Sequence, residues 1–203
     1  LNAYGAVTWG QFFVFQGFNE RCGWMHTSSI ADAADLYEEE IVRRNDSIYY
    51  QYDGQLKEVH QREFNLDFKK NGSIKSRKII SYYTQHGPVV GSRNQRWLSL
   101  REKNRSLNGL IQSWTRTKAN DFEQFQAAME LRSNVSTNTM YADANGNIAY
   151  WHGNFIPARN PAYDWTKPVD GSTAATEWKG PHDLNDIVHI YNPKQGWIQN
   201  CNS

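Results

Sequence analysis

Apolar and polar positions alternate through much of the first half of this chain, which is the two-residue period of β-strands. "AVTWGQFFVFQGFN" is rich in β-branched and aromatic residues and closes on Gly and Asn, so it predicts one or two strands. "DLYEEEIVRR" has acids early and arginines late, which suits a helix dipole, but Asn45 cuts it short. It predicts a short helix or the entry to a strand. From 48 to 90 the pattern is that of long antiparallel strands in a meander. Asp53-Gly54 and Asn71-Gly72 supply the positive φ angles that tight hairpin turns need.

The period changes over 105–132. "DFEQFQAAMELR" puts Phe122, Phe125 and Met129 on one helical face, with Asn120 or Asp121 as the N-cap. That apolar stripe is core packing. "NTMYADANGNIAYWHG" then alternates on both sides of Asn145-Gly146 and predicts a hairpin. Beyond Pro157 the chain is loop-like, with Pro161, Pro168, Pro181 and Pro193 between short apolar islands. No internal repeat or low-complexity linker marks a boundary, so residues 1–203 read as one domain or part of one. The class is α+β, with mostly antiparallel strands and a few helices.

Composition narrows the function. The net charge of the 203 residues is +1, 21% are charged, and no apolar run approaches a membrane span. Nucleic-acid binding by charge and membrane spanning are both excluded. Aromatic residues reach 14%, a load suited to sheet faces and to pockets for apolar or carbohydrate ligands. Composition alone therefore also admits a non-catalytic, aromatic-rich β module that binds glycan or peptidoglycan. Exposed tryptophans in a row on one sheet face would favour that alternative. Two cysteines, Cys22 and Cys201, make no zinc site, and pairing and free thiols both stay open. The six histidines show no metal spacing, and no nucleophile elbow, P-loop or dinucleotide fingerprint occurs.

A set of short stretches carries more. "GFN", "GWMHT", the D-x-x-D of Asp32 and Asp35, "HGPV", "RTKA", "YADANGNIAY", "PVDGS", "EWKG", "YNP" and "GWIQNCN" follow one another along the chain. In this order they resemble the β-subunit of the penicillin acylase (penicillin amidase) family of N-terminal-nucleophile hydrolases, over essentially all 203 residues. The resemblance implies an αββα sandwich, incomplete here, and hydrolysis of an N-acyl amide. It also implies a precursor that processes itself, so that a serine becomes the first residue of the β-subunit. That serine's hydroxyl attacks the amide carbonyl while its own α-amine, directly or through a water, takes the proton. An α-amine with a pKa of about 7.7–8.0 suits that task. The chain is expected to start after this serine and to stop at the oxyanion asparagine, and so to be inactive alone.

Residue by residue, the family's backbone oxyanion donor falls on Ser28, with Ser29 as the alternative register. The side-chain donor falls on Asn202, whose uncharged NH₂ suits the role. Family acyl pockets are apolar; Trp114 matches one lining position, with Phe15 or Gln16 and Thr137 as further candidates and core packing as the rival reading. Polar Gln16 and Thr137 put penicillin itself in doubt, and the chain is nearer to the acyl-homoserine-lactone and aculeacin branch. No cofactor is implied for the chemistry. A structural calcium is, through Asp32, Asp35 and the carbonyls of Ala34 and Trp165, all hard oxygen donors. The implied partners are an α-subunit, the rest of the β-subunit and a small acyl amide; the implied location is periplasmic or secreted.

Overall fold

The structure, a computed structural model, describes residues 1–103, 106–135 and 137–201. Along the chain run β1 (Ala3–Ala6), β2 (Gln16–Asn19), β3 (Cys22–Ser28), β4 (Ala34–Glu39), β5 (Ile41–Arg44), β6 (Ser47–Tyr52), β7 (Gln55–Glu58) and β8 (His60–Lys70). There follow β9 (Ser73–Thr84), β10 (Gly87–Arg93), β11 (Arg96–Glu102), α1 (Leu107–Thr117), α2 (Phe122–Met129), β12 (Thr137–Asp143), β13 (Ile148–Trp151), β14 (Val169–Asp170) and β15 (His189–Tyr191). Among the described residues no helix is long and apolar enough to cross a membrane.

The chain divides into two compact units. The first comprises Leu1–Ala33, Lys103–Ala158 and Lys179–Ser203, the second Ala34–Glu102 and Arg159–Trp178. None of the crossings falls in a linker-like stretch, which is why composition did not mark them.

The first unit is an antiparallel sheet in the order β1-β2-β3-β12-β13-β15, with α1 and α2 in the same unit. Register fixes its faces. Trp24 lies opposite Tyr141, Tyr141 opposite Ala149 and Ala149 opposite Tyr191, so these side chains form a row on one face. Helix α2 packs on that row. Phe125 lies 4.6 Å from the Tyr141 ring and 6.0 Å from Trp151, while Met129 completes the buried cluster. Phe122, Phe125 and Met129 thus share the core-facing stripe, and Asp121 is the N-cap, accepting from the Gln124 N–H at 2.8 Å.

In the second unit β14-β4-β11-β10-β9-β8 form one sheet and β5-β6-β7 another. "DLYEEEIVRR" is therefore two strands, β4 and β5, and the helix alternative falls: Leu36 to Glu39 pair with β11 in register. Asp53-Gly54 and Asn71-Gly72 form the expected turns, at φ 48° and 79° and at 52° and 79°. Asn145-Gly146 does not form a two-residue turn. Residues 143–147 span a wider loop in which the Asp143 carboxylate accepts from the N–H groups of Asn145 and Asn147, each at 2.9 Å. That cap supports a four-residue connection, 144–147, where the dipeptide alone implied two.

Beneath β4, β10 and β11 lies a buried polar cluster. Nδ1 of His86 is 2.8 Å from Glu39 Oε1, and Nε2 is 3.0 Å from Glu177 Oε1, with both His86 and Glu39 wholly buried. The imidazole stacks on Tyr37 at 3.9 Å, and Arg101 pairs with Glu177.

Candidate active site

The first unit gathers most of the candidate residues around the end of β3. Cys22, Trp24 and His26 point to the helix-covered face, and the alternating pleat turns Gly23 and Met25 to the other. Ser28 ends the strand, exposed, opposite Thr137 in β12, and its carbonyl accepts from Asn138 Nδ2 at 3.0 Å. Ser29 bonds locally, its hydroxyl accepting from the Ala31 N–H at 3.1 Å.

The terminal segment returns to this strand end. The Thr27 hydroxyl donates to Asn200 Oδ1 and accepts from Asn138 Nδ2 at 3.2 Å. Asn200 Nδ2 in turn donates to the Tyr150 hydroxyl at 3.1 Å. Before it, Gly196, Trp197 and Ile198 border a groove of about 400 Å³ on the sheet face away from the helices, whose floor includes Met25, Met140 and Ile148. Asn202 lies outside the described residues. Its chain neighbour two positions back is thereby anchored beside Ser28.

The pocket candidates divide. The Phe15 ring lies 4.8 Å from His26, and its carbonyl accepts from Trp24 Nε1 at 3.1 Å. Gln16 Oε1 accepts from the His26 N–H at 3.4 Å. Thr137 Oγ1 is buried without a partner among the described residues. Trp114, half-buried on α1, packs against Phe12 at 5.8 Å outside the main buried cluster.

Sequence reasoning missed four residues here: His26, Arg116, Asn138 and Asn200. His26 stood inside "GWMHT" and Arg116 inside "RTKA", quoted as motifs and not weighed as side chains. The available signal was parity, because a histidine two residues after a core tryptophan in a strand must face the same interior. Burial pushes the His26 imidazole down to about 3, and the nearby Arg116 charge pushes it the same way.

The residues implied for calcium are distributed differently. Asp35 is buried in β4; its Oδ2 accepts from Arg159 Nε at 2.7 Å and from Trp178 Nε1 at 2.6 Å. Its Oδ1 is buried without a partner among the described residues, which fits one position for a hard cation. Ala34 precedes it, and Trp165 lies in the same unit, where its indole donates to the Asn160 carbonyl at 2.8 Å. Asp32 lies in the segment before β4 and is exposed. No group of three or more Asp, Glu, His or Cys suited to a metal occurs among the described residues.

Cys22 is buried and Cys201 exposed, both as free thiols. Trp24 and Trp151 belong to the core, whereas the strongly exposed Trp9 and Trp197 lie in a turn after β1 and in the terminal segment. Among the described residues there is no exposed row of indoles on a sheet face of the kind a glycan platform would need.

Comparison with known proteins agrees along the whole chain. The penicillin amidase family profile matches residues 1–203. A penicillin G acylase from Escherichia coli is 30% identical over 196 residues, which is 92% of this chain and 22% of that protein. An acyl-homoserine lactone acylase QuiP from Pseudomonas fluorescens is 29% identical over 98% of this chain and 25% of its own length. The chain thus spans about a quarter of the length of these relatives. A thermostable penicillin G acylase from Alcaligenes faecalis superposes with a TM-score of 0.81 at 24% identity, over 100% of this chain and 38% of that one. That likeness establishes the fold.

Proposed function

Given that the chain belongs to the penicillin amidase family, we propose that it is the oxyanion-stabilising portion of an acylase that hydrolyses N-acyl amides. The nucleophile in this reading is a serine outside the chain, exposed as an N-terminus when a precursor processes itself. Its hydroxyl adds to the amide carbonyl and its α-amine takes the proton. The carbonyl oxygen becomes an oxyanion, which accepts hydrogen bonds from the Ser28 backbone N–H and the Asn202 side-chain amide. Collapse expels the amine, to which the α-ammonium returns the proton, and leaves an ester, which water then hydrolyses to the free acid and the free serine hydroxyl.

The observation that supports this reading is the anchoring of Asn200 to Thr27. It holds Asn200, two residues before Asn202 in the sequence, against the strand that ends in Ser28. Preorganised donors contribute most where they do not have to reorganise during reaction, and the Asn138–Thr27–Asn200–Tyr150 chain of hydrogen bonds provides that rigidity.

The remaining parts of the proposal follow from the family. The sheet of the first unit is one layer of an αββα sandwich completed by the α-subunit and the rest of the β-subunit, in an exported protein. A structural calcium would use Asp35 Oδ1 and the Ala34 and Trp165 carbonyls, and would take no part in the chemistry. The test is to incubate the intact processed protein with acyl-homoserine lactones from acetyl to dodecanoyl and with penicillin G, and to quantify released free acid. Release from at least one acyl class supports the reading; no release from any of them refutes it.

A further inference from the structure

The hairpin of β8 and β9 outruns the sheet that carries it. β9 pairs with β10 only at Tyr83 and Thr84, and β8 has no strand on its outer side among the described residues. From Gln61 to Tyr82 the two strands are therefore a bare ribbon, and all of β8 is exposed. A two-stranded ribbon is marginal in water unless something covers its apolar face.

The register supplies such a face. Phe64 stands opposite Ile79, Leu66 opposite Arg77 and Phe68 opposite Lys75, with Lys70 next along the same face. Phe64, Leu66, Phe68 and Ile79 are between 37% and 53% exposed, so nothing in this chain covers the row. The other face alternates Glu63, Asn65 and Asp67 with Lys78, and holds Ile74 and Ile80 between them.

Charge identifies the cover. Residues 60–84 hold six Lys and Arg against Glu63 and Asp67, a net +4 in a chain whose total is +1. Among the described residues only Lys78 of the six is ion-paired, to Glu63 at 2.7 Å. A second copy would set like charge against like, so the ribbon calls for an anionic partner. Lys70, Lys75 and Arg77 carry their charge on long aliphatic stems. They can reach phosphates at headgroup level while Phe64, Leu66 and Phe68 enter the acyl boundary beside them. A protein partner would have to place a carboxylate against each cation, none of which the ribbon itself holds in place. An anionic lipid surface offers phosphates at every position. The unpaired backbone edges on both sides keep the ribbon out of the hydrocarbon, so it lies flat in the interface.

We propose that the β8–β9 ribbon is a membrane-surface site, which lays its Phe64–Leu66–Phe68 face on a bilayer of anionic phospholipid. The proposal goes beyond the acylase reading and is independent of it, because binding needs no turnover.

The experiment is cosedimentation of the intact processed protein with phosphatidylcholine vesicles, with and without a third of phosphatidylglycerol. The anionic vesicles should bind it about 10²-fold more tightly or better, as four net cations at about fivefold each allow, and high salt should erase the difference. Lys75→Gln with Arg77→Gln should weaken binding by about 25-fold. Phe64→Ser with Phe68→Ser should weaken it by about tenfold or more. These side chains are exposed, and an unchanged Tm shows that each variant still folds. Equal binding to both vesicles, or undiminished binding by both variants, overturns the proposal. So does no binding; if the Lys69–Lys70 tip also resists trypsin, another segment of the protein covers the face. The wild-type comparison remains decisive if a variant fails to fold.

Discussion

Thr27 and Asn200, 173 residues apart in the chain, meet through the Thr27 hydroxyl, which donates to the Asn200 side-chain oxygen. The same hydroxyl accepts from Asn138, so one side chain ties β3, β12 and the terminal segment together. This junction adjoins Ser28 at the end of β3 and Cys201 in the terminal segment. Two oxyanion donors far apart in sequence need such a junction to keep a fixed separation.

Thr27→Val keeps the shape and removes the hydroxyl. Stability should fall by about 1–2 kcal/mol, since Asn138 and Asn200 each lose a partner. In the intact enzyme kcat should fall while KM changes little, because the loss is in positioning. Chemical denaturation and steady-state kinetics on the same preparation check both; unchanged kcat would show that the junction only fastens the chain.

Gly87, in "HGPV", has φ +133°, and a Cβ there would lie 2.1 Å from the Leu100 carbonyl oxygen. Gly87→Ala should therefore cost at least about 2 kcal/mol, through backbone strain and the clash together. Urea unfolding checks it, and a loss below half of that would mean that β10 and β11 separate easily.

His86→Ala would leave Glu39 buried without its imidazole partner and Glu177 with Arg101 and Gln85. Removing one member of a buried charged cluster costs about 3–5 kcal/mol. The expected outcome is a large drop in Tm, read by circular dichroism, and a change of a degree or two would contradict this account of the second unit.

These cases also show where the sequence was informative. Alternation along β12 and β13, the Asp53-Gly54 and Asn71-Gly72 turns and the Phe122–Phe125–Met129 stripe all act within a few residues, and each was legible. The motif order carried the family, and with it Ser28, Thr137 and Asn202 as candidates. What was not legible depends on long-range contacts. The Asp143 cap overrode the Asn145-Gly146 turn signal, β11 drew "DLYEE" into a strand, and the second unit closes only when Arg159–Trp178 returns to it. Arg116 and His26 became informative only when packing showed both of them buried.

The pH dependence of stability should carry the signature of His26. Burial, then the Arg116 charge, lowers its folded value from 6.5 to about 3, so the native imidazole is neutral where the unfolded one takes a proton. Stability is therefore full above pH 6.5 and lost as pH falls from there toward 3, at up to about 1.4 kcal/mol per pH unit. His26→Gln should flatten this slope. Unfolding free energies at pH 7.5, 6 and 5 for both proteins check it, and parallel slopes would contradict it.

The oxyanion role of Asn202 is tested most directly by the kcat of Asn202→Ala in the intact processed enzyme on its best amide substrate. A loss of about 10²–10³-fold in kcat is predicted, the effect of removing one preorganised donor from a developing oxyanion. A kcat within twofold of the wild type, from a protein that has processed and folded normally, would contradict the account.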